Sequence, residues 1–337
     1  MNYAFLSLFF CLLSIVARAQ EEPVYIEGKA QGTTYHITYF DAENRNFSAE
    51  ITQLLKDFDK SISTYDTSSI ISKINRNVPN VVVDETFITC FKKAKEIHKN
   101  TNGAFDPTVY PLVNAWGFGP EKYDLVSKDL IDSLRQFVGF NKIKLKGNKI
   151  VKKDPRVRLD FNAFAQGYSV DLVAKLLKKH GIKNFIVEIG GEVYAEGTQP
   201  NDYAWTVGIE EPLENKISTN PFLVLVEINQ LAVATSGNYR RFTEVNGVKV
   251  VHHIDPTTGY PTSNNLLSAS IFANECITSD ATATGILVMG LEKAKIYLEK
   301  HKELEAILIY SDENGDFQVY ETNGAKRLIL PEIQPGY

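Results

Sequence analysis

Cysteine is scarce in this sequence, with three residues among 337. Three cysteines cannot form the disulfide framework of a small secreted scaffold. Basic charge is not in excess either, because 36 Lys and Arg side chains stand against 41 Asp and Glu side chains, which gives a formal net charge of −5. A surface for nucleic acid is therefore not expected. The 21 Gly and 13 Pro are ordinary globular usage and exclude fibrous and disordered classes.

Long hydrophobic runs are also absent, apart from one at the N-terminus. Residues 6–16 (LSLFFCLLSIV) are apolar and precede Ala17-Arg18-Ala19, which matches the small-x-small pattern of a signal-peptide cleavage site. The run is too short to span a membrane as a helix. We therefore predict a signal peptide at residues 1–19 and one mature domain at residues 20–337. The mature protein is expected in the periplasm or on the extracytoplasmic side of the inner membrane.

The common nucleotide-binding motifs are missing. Gly117-Phe118-Gly119 continues into Pro120-Glu121 rather than completing a Gly-x-Gly-x-x-Gly pattern, and there is no Walker loop or Cys-x-x-Cys pair. Any nucleotide must therefore be held by other means.

Helices and hairpins interleave along the chain, which is 44% hydrophobic and long enough to bury a core. Apolar spacing predicts helices after an N-cap at Ser48, after Asp84, and at residues 127–138, 166–180, 279–290 and 291–302. Strands are predicted at 33–40, 185–189, 205–209 and 222–228, and hairpin turns at 147–148, 246–247 and 314–315. Because regular βαβ alternation is absent, the predicted fold class is α+β.

Five segments are unusually polar or glycine-rich for their apolar surroundings. They are 31–35 (QGTTY), 63–75 (STYDTSSIISKIN), 103–108 (GAFDPT) with 111–120 (PLVNAWGFGP), 159–167 (LDFNAFAQG), and 252–259 (HHIDPTTG) with 278–284 (TSDATAT). Taken together and in this order, they resemble the ApbE-type flavin transferases, from about residue 28 to residue 290. The aromatic glycine run at 116–119, the 160–167 segment and the pair Asp280 and Thr284 are its most specific parts.

The resemblance implies a fold and a reaction. The fold would be a single mixed domain with two lobes and an FAD groove between them. The reaction would be Mg²⁺-dependent cleavage of the FAD pyrophosphate, with FMN transferred through its phosphate to a Thr or Ser of another protein and AMP released. The acceptor would carry a Ser/Thr-Gly-Ala-Thr-like segment, which this chain lacks, and would be a membrane-associated redox subunit.

Asp280 and Thr284 are spaced for a shared role. Four residues apart on a helix, their oxygens lie on one face, and a carboxylate with a hydroxyl suits Mg²⁺. The alternative is that Asp280 or Ser279 caps the helix N-terminus. The resemblance favours the metal and adds the carbonyl of Ala163 and the region of Ala283 to the ligand set.

The resemblance also assigns a set of contacts to FAD. Asp160, which could otherwise cap a helix, and Gln166 would lie against the nucleotide. Tyr65 would stack on a ring unless it only packs at a helix end, and Asp106 would otherwise be a turn former. Gln31 stands where the family commonly has Met. The full predicted set is Gln31, Tyr65, Ala104, Phe105, Asp106, Asp160, Gln166 and Ile254.

His252 and Asp255 form the predicted catalytic pair. A histidine near a carboxylate titrates near neutrality and can take a proton from an attacking hydroxyl. The resemblance favours His252 over His253, because His252 stands three residues before Asp255. If both histidines belong to a strand, they point to opposite faces, and at most one is expected to serve.

Three other functions remain open at this point. Ser236, His252 and Asp255 could form a hydrolase triad, although the sequence around Ser236 (ATSG) is no nucleophile elbow. The same site could hydrolyse FAD to FMN and AMP with water as acceptor. The protein could also be an exported FAD-binding module without turnover. Stable retention of FAD without AMP release, after Mg²⁺ and an acceptor are added, would favour the module without turnover.

Overall fold

An antiparallel sheet of eight strands forms the centre of the structure. The computed structural model describes residues 22–121, 123, 125–212, 222–238, 242–245 and 248–331. The strands of the described residues, including those outside the large sheet, are β1 (Pro23–Ala30), β2 (Thr33–Phe40), β3 (Ile143–Lys146), β4 (Lys149–Lys152), β5 (Asn184–Ile189), β6 (Glu192–Glu196), β7 (Trp205–Glu210), β8 (Phe222–Ile228), β9 (Leu231–Gly237), β10 (Phe242–Val245), β11 (Val248–Val251), β12 (Leu266–Ala273), β13 (Glu305–Ser311) and β14 (Phe317–Glu321).

The order of strands in the large sheet is β1-β2-β5-β6-β9-β12-β13-β14. Every neighbouring pair in it is antiparallel. The pairs β3–β4, β7–β8 and β10–β11 form separate two-stranded ribbons. The helices are α1 (Ser48–Ile62), α2 (Ile70–Asn75), α3 (Glu85–Asn100), α4 (Tyr110–Ala115), α5 (Lys128–Arg135), α6 (Ala165–Lys179), α7 (Cys276–Met289), α8 (Leu291–Lys300) and α9 (Asn323–Leu328).

Both faces of the large sheet are covered, as the alternation of side chains along β12 shows. Ala269 and Ile271 pack in a core shared with α7 and α8. Phe272 points the other way and packs with Trp205 of the β7–β8 ribbon. Because successive side chains of a strand face opposite sides, β12 is buried on both, and its two serines, Ser268 and Ser270, are buried as well. Helix α7 is therefore held firmly against the middle of the sheet.

A layer of helices α1 to α3 packs on the outer side of α6 and α7 through aromatic side chains. Phe87 of α3 lies edge-on to Phe161, with ring centroids 5.3 Å apart, and Phe105 lies 5.8 Å from Phe164. These rings share one buried cluster with Ala281 of α7. The cluster fixes the loops around residues 105 and 161 next to helix α7.

The structure confirms the α+β class, and the division into two lobes stays a prediction. Helices begin after Asp84 and Ser127 as predicted, and both side chains cap them. The hairpin turns at 147–148 and 314–315 are confirmed, whereas 246–247 lie outside the described residues. Strands β1, β6, β9 and β12 were not predicted. Ser48 is the first residue of α1 rather than its cap, since Asn46 accepts its backbone N–H.

Residues 1–19, the predicted signal peptide, lie outside the described ranges. Within those ranges, no helix combines the length and the apolarity that a membrane crossing requires.

Candidate active site

A cavity of about 330 Å³ opens beside α6, α7 and the C-terminal end of β9. Most of the residues predicted for the site line it, although they come from five separate parts of the sequence. Gln31, Asp255 and Ala283 are not among its lining residues. Those that line it are Tyr65, Ala104, Phe105, Asp106, Asp160, Ala163, Gln166, His252, Ile254, Asp280 and Thr284.

Helix α7 presents a carboxylate and a hydroxyl to the cavity. Asp280 and Thr284 both line it, as their spacing predicts. The Oδ2 atom of Asp280 accepts the backbone N–H of Gly167 at 3.0 Å, and Thr284 Oγ1 lies 3.4 Å from Ser236 Oγ. The capping interpretations of Ser279 and Asp280 are wrong, because α7 already begins at Cys276.

The N-terminus of α7 is capped by a side chain from another helix. Asp171 of α6 accepts the backbone N–H groups of Cys276 and Ile277 at 2.7 and 2.8 Å. This frees Asp280 from a capping role and ties α7 to α6 beside the cavity.

The surroundings of Asp280 favour a bound cation. Its side chain is largely buried, and this burial raises the pKa of the carboxyl to about 7, with a smaller contribution from the charge of Asp171. A divalent cation would stabilise the ionised form. The Asp280 carboxylate, the Thr284 hydroxyl and the Ala163 carbonyl are hard oxygen donors that fit Mg²⁺. No group of three His, Cys, Asp or Glu suited to a metal occurs in the described ranges. The side chain of Ala283 is buried in the core.

The segment at 104–108 offers its backbone rather than its carboxylate to a ligand. Asp106 is buried, and its Oδ1 accepts the backbone N–H of Thr108 at 2.8 Å and the Thr108 hydroxyl at 2.5 Å. Its Oδ2 accepts the N–H of Phe140 at 3.1 Å. The turn-forming role of Asp106 is confirmed, and these bonds fix Ala104 and Phe105 at the cavity wall.

The loop before α6 places two polar groups in the wall. Asp160 Oδ1 accepts the N–H of Asn162 at 2.8 Å, and burial raises the pKa of the Asp160 carboxyl to about 6. Its predicted helix-capping role is wrong, since α6 begins five residues later at Ala165. Gln166 follows in the first turn of α6. Gly190 lies opposite with φ +70°, where a Cβ would stand 3.1 Å from the Gln166 amide.

Gln31 and Tyr65 lie farther from the buried end of the cavity. Gln31 stands at the turn between β1 and β2, and its Nε2 donates to the Ser169 hydroxyl on α6. Ser169 lies one turn from Gln166, so Gln31 supports the helix next to the cavity. Tyr65 lines the cavity and is 65% exposed, which places it at the mouth and makes its face available to a ring.

Both histidines line the cavity, so they do not point to opposite faces of a strand, and the prediction that at most one serves in catalysis stays a prediction. Strand β11 ends at Val251, so strand alternation no longer applies to His252 and His253. Their ring centroids are 3.9 Å apart. His253 is buried and bonds Asn238 Oδ1 at 2.8 Å through Nδ1, and burial lowers its pKa well below the usual value. A neutral, buried His253 therefore supports the ring of His252.

Asp255 lies in a tight turn and faces a neighbouring cavity. Its Oδ1 accepts the N–H of Thr257 at 2.7 Å. The turn is anchored from α4 and α5: Trp116 Nε1 donates to the Gly259 carbonyl at 2.8 Å, and Arg135 donates to the Thr257 carbonyl at 3.2 Å. These bonds explain why an aromatic glycine segment far away in sequence belongs to the site.

Several lining residues were not predicted. Glu192, Thr235 and Ser236 come from strands β6 and β9, and Asn162 and His253 lie beside predicted residues. A signal for Glu192 is present in the sequence, since a charged residue opens an apolar strand directly after Gly190-Gly191. Ser236 lies within a strand and not at a strand-to-helix elbow, so the hydrolase triad lacks its structural context.

The wall of the cavity is acidic. Asp106, Asp160, Glu192 and Asp280 contribute carboxyl groups, and the described lining includes no Lys or Arg. A phosphate-bearing ligand would be repelled by this wall unless a cation accompanied it.

The cavity thus combines an acidic wall, oxygen donors that suit a divalent cation, a histidine and a backbone-lined segment. The family model described as the ApbE family matches residues 31–308, and the chain belongs to this family.

Named relatives cover nearly the whole chain. A protein of Vibrio cholerae serotype O1 named FAD:protein FMN transferase is 35% identical over 317 residues, covering 91% of this chain and 93% of its own length. One of Haemophilus influenzae with the same name is 35% identical over 331 residues, covering 94% of each.

Solved structures agree with these relatives. The flavin transferase ApbE from Vibrio cholerae superposes with a TM-score of 0.83 at 33% identity, covering 91% of this chain and 99% of that one. The apo Pseudomonas stutzeri flavinyl transferase ApbE gives a TM-score of 0.82 at 27% identity, covering 94% and 99%.

Proposed function

We propose that this protein is an Mg²⁺-dependent FAD:protein FMN transferase. It cleaves the pyrophosphate of FAD, joins FMN by a phosphoester bond to a Thr or Ser of an acceptor protein and releases AMP. The observation that carries the proposal is the convergence of Asp280, Thr284 and His252 on one acidic cavity in a chain of the ApbE family.

Each part of the cavity has a task in this reaction. The backbone at Ala104 and Phe105, with Asp160, Gln166 and Ile254, binds and orients FAD, and Tyr65 covers a ring at the mouth. Asp280, Thr284 and the Ala163 carbonyl hold Mg²⁺. When bound, Mg²⁺ offsets the negative charge of the pyrophosphate and of the leaving phosphate.

His252 acts on the acceptor. An imidazole nitrogen of His252 takes the proton of the acceptor hydroxyl as its oxygen bonds to the FMN phosphorus. The bond from that phosphorus to the bridging oxygen breaks, and AMP leaves with the bonding electrons. His253, bonded to Asn238, keeps the His252 ring in place.

The setting of the reaction belongs to the proposal as well. We infer that the protein is exported after cleavage near Ala19 and acts outside the cytoplasm as a single domain at residues 20–337. Its acceptor carries a Ser/Thr-Gly-Ala-Thr-like segment and is a membrane-associated redox subunit on the same side of the membrane.

One assay tests the activity. The protein is incubated with FAD, Mg²⁺ and a domain that bears such a segment, and acceptor mass and AMP are measured together. We expect the acceptor to gain one FMN in step with AMP release, and to gain nothing when its final Thr is replaced by Ala. Equal AMP and FMN release with or without acceptor, and no gain in mass, would instead establish an FAD pyrophosphatase. Retained FAD without AMP would establish a flavin carrier.

A further inference from the structure

A second cavity of about 290 Å³ adjoins the first. Ala104 and Val288 line both cavities, so the two share a wall. The turn that follows His252 contributes residues to each: Pro256 lines the first cavity, and Asp255 and Thr257 line the second. The second cavity therefore lies beside the group proposed to deprotonate the acceptor.

The outer rim of the second cavity is basic. Lys293 and Lys300 of α8 line it, while the neighbouring His301 is bonded through Nδ1 to Glu303 Oε1 at 2.8 Å. Asp255 is the one carboxylate among the described lining residues and belongs to the turn on the side of the first cavity. Both lysines are exposed, and neither forms an ion pair with any residue in the described ranges. Seven residues apart, they occupy one face of α8, with the half-exposed side chain of Ile296 between them. The rim thus joins an apolar side chain to two available positive charges.

A neighbouring lysine on the same helix has a different environment. Lys295 donates to Glu292 Oε1 at 3.0 Å and lies over the rings of Tyr310 and Tyr320, 5.6 Å from each centroid. It does not line the second cavity. A charge change at Lys295 alters the net charge of α8 as much as a change at Lys293 or Lys300, but outside the rim.

We propose that the second cavity is the docking site of the acceptor polypeptide, and that Lys293 and Lys300 bind acidic side chains flanking the acceptor hydroxyl. The inference rests on the proposed function. In-line displacement at the FMN phosphorus requires the hydroxyl to approach from the side opposite the departing AMP, so FAD and acceptor need separate access. The first cavity has an acidic wall that repels an acidic segment, whereas the rim formed by α8 attracts one.

Peptide binding tests the docking site without flavin chemistry. The probe is a fluorescein-labelled synthetic peptide in which Ser-Gly-Ala-Thr is flanked by glutamates, and its matched control carries glutamines instead. Fluorescence anisotropy with the full chain, without FAD, measures affinity at low and high salt. We expect the glutamate peptide to bind more tightly, and the difference to shrink at high salt because exposed charges are screened.

Three charge reversals locate the interaction. Lys293→Glu and Lys300→Glu should each weaken binding of the glutamate peptide by roughly threefold to tenfold, the range for a partly exposed pair. Lys295→Glu should leave the affinity within about twofold of the wild type. Lys300→Gln removes the charge of an exposed residue without reversing it, so it should give an intermediate loss of affinity. It keeps the test valid if a charge-reversal variant misfolds.

Other outcomes overturn the inference. Equal affinity for the two peptides, or an equal loss with Lys295→Glu, would show that the rim does not recognise acidic residues. A raised KM for FAD in the Lys293 and Lys300 variants, with unchanged peptide binding, would assign the cavity to the flavin. Because binding is measured without FAD, a wild-type protein that binds the peptide but transfers no FMN contradicts only the proposed function.

Discussion

Asp280 illustrates how a single residue is prepared for a metal. Burial opposes its charge and raises the pKa of its carboxyl, so the ionised form is disfavoured unless a cation or a hydrogen-bond donor compensates it. The N–H of Gly167 compensates only one oxygen in the described contacts. A cation at this position would repay the cost of burying the charge, whereas a capping role would not require burial at all.

Replacement of the metal ligands should have graded effects. Asp280→Asn keeps the volume but removes the charge, so FAD turnover at fixed Mg²⁺ should fall by more than about 100-fold, beyond the loss typical of an outer-sphere partner. Thr284→Ala removes a neutral donor and should cost about tenfold, while Thr284→Ser should restore most of the activity. Turnover is measured against Mg²⁺ concentration. Wild-type turnover by Asp280→Asn at low Mg²⁺ would refute the metal assignment.

Replacement of the two histidines should affect different properties, namely FMN transfer for His252 and stability for His253. His252→Ala should lower FMN transfer by roughly 10²–10⁴, the range for losing a general base, with little change in stability. His253→Ala removes a buried ring and its bond to Asn238, so it should lower the free energy of unfolding by about 1–3 kcal/mol.

Single-turnover rates and denaturant unfolding separate the two effects. His253→Gln retains a side chain able to bond Asn238 and serves as the matched control. If His252→Ala transferred FMN at the wild-type rate, histidine would have no part in the proton transfer.

At the scale of elements, the contact between α6 and α7 positions the residues proposed to bind the metal. Gly167 brings the first turn of α6 against α7, where a Cβ would lie 2.5 Å from the Cys276 carbonyl oxygen and 2.8 Å from Asp280 Cβ. Asp171, one turn farther along α6, caps α7. The two contacts together set the position of Asp280 relative to Ala163 and Gln166.

Gly167→Ala should therefore destabilise the protein, although a Gly-to-Ala change within a helix normally stabilises it. Alanine in place of glycine normally stabilises a helix by up to about 1 kcal/mol. Here the added methyl group meets backbone, so we expect a loss of about 1–3 kcal/mol in unfolding free energy, together with lower FAD turnover. Lys175→Ala, at an exposed position of the same helix, should change stability by less than about 0.5 kcal/mol. A more stable Gly167→Ala protein would contradict the packing described here.

Local signals made some helix starts predictable and left others hidden. Asp84 accepts the N–H of Phe87 and Ser127 accepts that of Leu130, so each cap is encoded within three residues of its partner. The cap of α7 is Asp171, 105 residues from Cys276, and no local pattern reveals it. Strand β12 was also missed, because its end at residues 271–273 is apolar on both faces and only residues 267–271 keep the alternation of a strand.

The site residues also divide into those that local sequence predicts and those that depend on distant parts of the chain. Asp280 and Thr284 were predictable because helical spacing places them on one face. The position of His253 was not, because it depends on where β11 ends and on Asn238 in another part of the chain. Glu192 was missed although Gly190-Gly191 precedes it, because its role comes from the sheet, which brings the start of β6 to the same cavity as β9.

At the scale of the whole molecule, acidic and basic groups are separated between the two cavities. The chain carries a net charge of −5, and the first cavity is acidic, while the rim of the second cavity is basic. Because an acidic molecule is not drawn to phosphates in general, the proposed dependence on a cation would give selectivity for a ligand that arrives with Mg²⁺. The basic rim then supplies a separate attraction for a protein partner.

The last prediction concerns where the molecule acts. The apolar run at 6–16 and Ala17-Arg18-Ala19 should direct export, and the mature N-terminus should be Gln20 or close to it. Ala19→Phe places a large side chain at the cleavage position and should cause the uncut form to accumulate at the membrane.

Cys11→Ser is the matched control for this prediction. Cys11 follows Phe10 rather than a small residue, so it is not expected to be lipidated and its loss should leave processing unchanged. Fractionation and mass spectrometry of the purified protein measure both outcomes, and an intact N-terminus from Met1 in a cytoplasmic pool would contradict the prediction. Since the proposed acceptor lies outside the cytoplasm, a cytoplasmic enzyme would also require a different partner, whereas an exported one meets its acceptor on the same side of the membrane.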